Sequence, residues 1–149
     1  MPPSDSERAT ASALERAGFR NVRFLPPDAS RREADLLAER GGVLWAVEVR
    51  GSSRPLRADA SFQPPDERPL PYPTLQDYFA LIWQEKRAQL EATRAAHRCA
   101  AGMLLVVVNG IPAPAWQDAL AECHRRVGSP DAAFALCAGG RILSVPPLD

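Results

Sequence analysis

The run Met103-Leu-Leu-Val-Val-Val108 limits what this chain can fold into more than any other stretch. Six consecutive apolar residues, rich in β-branched side chains and too few for an ordinary helix, read as a strand buried on both faces. Helical patterns flank it. Before it, Thr74 caps a long helix with Asp77 at the reciprocal position, and Leu75, Tyr78, Phe79, Ile82, Trp83 and Leu90 make an apolar face at three- and four-residue spacing. After it, residues 113–128 read as a helix with cationic residues in the last turn and Gly128 just beyond.

The rest of the chain extends the pattern. A first helix opens on Ser4, three residues before Glu7, and closes on Gly18. A short strand covers 21–25, two strands lie around Gly41-Gly42, and residues 132–145 close the chain as a hairpin around Gly139-Gly140. The order is αβββαβαββ. With 149 residues, 46% of them apolar, the chain suits one domain, 1–149. Within it, 51–73 carries six prolines and no apolar periodicity, so it reads as a long loop outside sheet and helix, either a functional flap or disordered.

Eighteen Lys plus Arg balance eighteen Asp plus Glu, so any nucleic-acid surface must be local. Neutrality also leaves room for a homodimer or larger complex whose shared surface assembles a basic groove. Cys99, Cys123 and Cys137 lack CxxC spacing and sit in apolar or helical runs, as reduced, buried thiols of a cytoplasmic protein do. No run approaches the ~20 apolar residues that span a bilayer, so no membrane association is expected. His97 and His124 read as surface or helix-end residues, and Trp45, Trp83 and Trp116 as core.

Chemistry concentrates at Glu33–Arg50. A two-residue turn at Gly41-Gly42 pairs Arg40 with Val43, and outward counting pairs Leu37 with Ala46, Asp35 with Glu48 and Glu33 with Arg50. Opposed residues on one face have Cβ atoms ~4.5–5.5 Å apart, where two carboxylates repel unless a cation sits between them. Oxygen ligands with water completing an octahedron suit Mg²⁺ or Mn²⁺, which can bind substrate phosphate and activate a water. Arg50, ~7 Å further along the same face, is placed to hold a phosphate oxygen. The same four residues are also compatible with a solvated sheet face, with Glu33 and Arg50 as a surface ion pair.

At Asp35, then twelve residues, then Glu48-Val49-Arg50, the chain resembles the PD-(D/E)xK nuclease superfamily over roughly residues 4–110. The resemblance implies a restriction-endonuclease-like α/β fold: an αβββαβ core with a mixed central sheet flanked by helices, here followed by a C-terminal helix and β-hairpin. It implies Asp35 and Glu48 as metal ligands, with Arg50 in the place of the catalytic lysine. Glu7 corresponds to an acidic residue that some members add, and Lys86 and Gln89 match polar helix positions that face the site. Ala34 stands where the proline of the motif is expected.

The expected activity is Mg²⁺- or Mn²⁺-dependent hydrolysis of nucleic-acid phosphodiester bonds, DNA in the first instance. Asp35, Glu48 and Arg50 are the catalytic candidates. Lys86, Gln89 and Arg54 would contact substrate, with Arg57, Arg87 and Arg94 as further phosphate contacts. The alternative is a catalytically degenerate nuclease fold acting as a nucleic-acid- or protein-binding module, marked by Arg50. A third reading is a small structural α/β protein with an interaction loop at 51–73.

Overall fold

The computed structural model describes residues 5–25, 36–63, 73–128 and 132–148. The element order is α1 (Asp5–Arg16), β1 (Arg20–Phe24), β2 (Leu36–Arg40), β3 (Val43–Pro55), α2 (Leu75–His97), β4 (Ala101–Asn109), α3 (Pro114–Val127), β5 (Ala132–Ala138) and β6 (Arg141–Val145). This is the expected αβββαβ core with its C-terminal helix and hairpin. Ser4, expected to cap the first helix, lies outside the described residues. At the other end of α1, Gly18 at φ +97° lets Phe19 N donate to Leu14 O (2.9 Å) and Gly18 N to Glu15 O (3.1 Å), a Schellman closure with Phe19 and Leu14 buried together.

The six strands form one sheet in chain order, β1 to β6. The first three pair antiparallel, β3, β4 and β5 run parallel, and β6 returns antiparallel. Two parallel steps demand crossovers, and α2 and α3 supply them over one face. On that face Ala46, Leu104, Val106, Phe134 and Leu136 pack against Phe79, Trp83, Trp116 and Leu120. On the other, Val47, Val49, Met103, Leu105 and Ala135 pack against Ala13 and Leu14 of α1. Neighbours in sequence therefore alternate between two cores, which is why β4 has an unbroken apolar run.

The hairpin register is the one expected. Gly41 and Gly42, at φ +57° and +79°, form a two-residue turn of the kind that matches strand twist. Pairing runs from Arg40↔Val43 to Leu36↔Val47. The next residues back along the chain, Asp35 and Glu33, lie outside the described residues.

The expected loop at 51–73 needs revision. Residues 51–55 are not loop: β3 runs on to Pro55, pairing Gly51 with Val107 and, after an irregularity, Pro55 with Asn109. The proline comes after an irregularity in the β3–β4 ladder, the kind of place where a strand tolerates one. Beyond it the chain folds back, with bridges Leu56↔Phe62 and Ser61↔Thr74. Leu56, Ala60 and Phe62 thereby enter the core. Residues 64–72 lie outside the described residues.

Helix α2 begins as expected. Thr74 accepts from Asp77 N, and the Asp77 carboxylate accepts from Thr74 N (3.2 Å) and Oγ1 (2.7 Å). No described helix is long and apolar enough to cross a membrane.

Cys99, Cys123 and Cys137 are free and buried. Burial, helped by the nearby Asp77 carboxylate, pushes the Cys123 thiol up to about 11. An unfolded chain loses that proton near the ordinary value of 9.0, whereas the folded chain keeps it. Because the folded pKa is the raised one, this contribution is complete below pH 9 and is lost as pH climbs from 9 towards 11. Unfolding midpoints should fall through that window, and Cys123→Ser should flatten the fall.

Candidate active site on β3

Strand β3 carries Glu48 and Arg50 on the face that α2 covers, since their neighbours Val47 and Val49 point to the opposite core. Glu48 is only 3% exposed, so the solvated-face reading does not hold for it. Gln89 Nε2 donates to Glu48 Oε2 at 2.9 Å. Arg50 Nε stands 4.0 Å from Glu48 Oε1, with the Arg50 side chain 39% exposed. One carboxylate oxygen is thus fixed from the helix side, while the arginine flanks the other from the solvent side.

Two contacts set α2 over β3. Tyr78 Oη donates to Gly51 O (3.1 Å), and Gln89 reaches Glu48 eleven residues later, so the helix runs counter to the strand. Lys86, the single lysine of the chain, lies between them. It is half-buried on the inward stripe of Phe79, Ile82 and Thr93 rather than on the outer helix surface. Thr93 Oγ1 donates to Gln89 O (3.1 Å), one turn further on.

The other cationic candidates disperse. Arg54 is half-buried just past the site, with its backbone N donating to Ser52 Oγ (3.3 Å). Arg57 is exposed at the far end of the strand extension. Arg87 pairs with Glu91 (3.2 Å) on the exposed side of α2, and Arg94 donates to Ala100 O (3.0 Å) after the helix ends. Glu7 sits in the first turn of α1, which packs on the opposite face of the sheet from Glu48.

Among the described residues, no group of three or more His, Cys, Asp or Glu comes together to hold a metal. The described donor set is Glu48 alone, and its intended partner Asp35 lies outside. Glu48 offers oxygen donors only, of the kind that hard divalent cations take.

Of the residues singled out from the sequence, Glu48 and Arg50 lie on β3 and Lys86 and Gln89 on α2, the helix over that face. That Lys86 and Gln89 lie on the inward side of α2 agrees with the resemblance, whereas the hydrogen bond from Gln89 to Glu48 was not foreseen. The available signal was the break that Lys86 and Gln89 make in the α2 apolar stripe between Trp83 and Leu90.

The class defined here is a mixed α/β protein with a restriction-endonuclease-like order of elements and a buried glutamate on its third strand. No protein-family model matches the chain, and no curated protein does. Among solved structures, Pyrococcus furiosus SfsA in complex with Ca²⁺ is similar at 16% identity and a TM-score of 0.32, over 93% of this chain and 58% of that one. This chain therefore spans less than two thirds of the length of that protein.

Proposed function

We propose that the protein is a Mg²⁺- or Mn²⁺-dependent nuclease acting on DNA phosphodiester bonds. The observation that carries this reading is the β2–β3 register. It reaches Leu36↔Val47 with no shift, one residue short of the buried Glu48, and the reading extends that pairing by one step to Asp35. Asp35 and Glu48 would hold the ion, which supplies a Lewis acid and a water of lowered pKa.

The remaining side chains position and neutralise. Gln89 fixes the rotamer of Glu48 by its hydrogen bond, the role that outer partners of metal ligands commonly have. Arg50, half-exposed, binds a non-bridging phosphate oxygen and offsets charge that develops during attack. Lys86 approaches from α2 as a second cation for the same phosphate, and Arg54 binds a neighbouring one.

A second reading, a binding module that has lost catalysis, draws support from the closeness of Arg50 to Glu48. A guanidinium beside a metal ligand competes with a divalent cation for the same charge.

Calorimetry with Mn²⁺ on wild type and Asp35→Ala, followed by incubation with plasmid and branched DNA, separates the two. The nuclease reading expects binding and cleavage in wild type and neither in the variant. DNA binding without metal uptake or cleavage would establish the module, and the absence of both metal and DNA binding would sink both readings.

A further inference from the structure

Arg50 stands next to the last regular pair of the β3–β4 ladder. That pair is Gly51↔Val107, after which β3 takes four steps to Pro55 where β4 takes two to Asn109. Extra residues on one strand bend it and re-aim the side chains beside them, a device that is frequent next to active sites. Here the extra residues fall between Arg50 and Arg54, two of the cations that the proposed reaction places on phosphate. Gly51 is the joint at which the strand departs. A residue without Cβ restrains the chain least, so its own side chain does nothing to hold the bend in one direction.

Two hydrogen bonds supply that hold. Ser52 Oγ accepts from Arg54 N at 3.3 Å within the bend. Tyr78 Oη, on α2 and 27 positions along the chain, donates to Gly51 O at 3.1 Å. Satisfying this carbonyl does not require a tyrosine, because Gly51 is exposed and water could serve it. Tyr78 is itself buried, and its ring meets Phe62 edge-on, with centroids 5.5 Å apart. Phe62 lies in the core and its backbone N donates to Pro73 O (2.9 Å), just ahead of α2. The hydroxyl is therefore presented from a packed mount, and a group held in that way fixes what it bonds. Helix α2 thus holds β3 on both sides of Arg50, through Gln89 at Glu48 and through Tyr78 at Gly51.

We infer that Tyr78 is a positioning residue, whose hydroxyl fixes the Gly51 joint so that Arg50 meets the DNA phosphate. The inference rests on the nucleic-acid reading above. It gives a role at the site to a side chain that the sequence assigns to the apolar face of α2. Tyr78 acts through the backbone.

The test is a double-mutant cycle on the full chain, read as affinity for labelled duplex DNA in EDTA, with Mn²⁺ calorimetry beside it. Tyr78→Phe keeps the ring against Phe62 and removes the hydroxyl. It should bind DNA about 3–10-fold more weakly, the size of one hydrogen bond. Its Mn²⁺ affinity should equal that of wild type, since Glu48 keeps Gln89. In an Arg50→Ala background, Tyr78→Phe should leave DNA affinity unchanged, because the residue it orients is gone.

If Tyr78→Phe binds DNA as wild type does, the positioning role is overturned while DNA binding stands. A loss of the same size with and without Arg50 overturns it as well, and makes the hydroxyl a structural tie between α2 and β3. If wild type binds no DNA, the inference falls together with the reading it rests on.

Discussion

In Glu48→Gln, Mn²⁺ binding and DNA cleavage are both expected to vanish while the metal-free protein unfolds at the wild-type temperature or above. The reason is the burial of the carboxylate beneath α2. Taking a carboxylate out of water is costly, and an amide of the same shape removes that cost and can still pair with Gln89. Stability and function thus pull in opposite directions at this residue, as they do where a site is maintained for its chemistry.

The metal reverses the order. At a hundred times its Kd, Mn²⁺ should stabilise wild type by about 2.7 kcal/mol, a rise of roughly 5–10 °C in Tm, and should leave Glu48→Gln unmoved. Gln89→Ala, which removes only the partner of the ligand, should weaken Mn²⁺ by about 10–100-fold. Wild-type Mn²⁺ affinity in Glu48→Gln, read by calorimetry, would remove Glu48 from the metal site.

The largest stability effect is expected at Trp116. Its side chain is fully buried among α2, α3 and the folded-back 56–62 segment, and its Nε1 donates to Arg57 O. Trp116→Ala should cost ~3–5 kcal/mol, a large share of the ~5–15 kcal/mol by which domains are stable. Tm should fall by about 6–20 °C. Trp116→Phe keeps most of the packing and isolates the hydrogen bond, with a loss of ~1 kcal/mol. Urea titration reads both, and a loss below ~2 kcal/mol in Trp116→Ala would mean that the 56–62 segment is held by other contacts.

The parts of the molecule that could be read in advance follow local rules. Gly41-Gly42 specify a two-residue turn because both positions take positive φ, and the period of two then carries the register to Leu36↔Val47. Thr74 and Asp77 start α2 through hydrogen bonds spanning three residues. The apolar run of β4 follows from packing on both faces. Register and stripe spacing were enough to place Glu48 and Arg50 on one face.

Other features depended on partners far along the chain. Whether that face was wet or dry rested on α2 docking over it, with Gln89 reaching Glu48 across 41 positions. The reach of β3 to Pro55 depended on β4 being present to pair with it, and the burial of Leu56 and Phe62 on Trp116 closing over residues with no periodicity of their own. The physical division is one of range. Steric limits on φ and the periods of strand and helix act within a few residues, so short patterns express them. The dryness of a carboxylate and the anchoring of a loop arise from contacts between distant segments, and these exist only once the layers have packed.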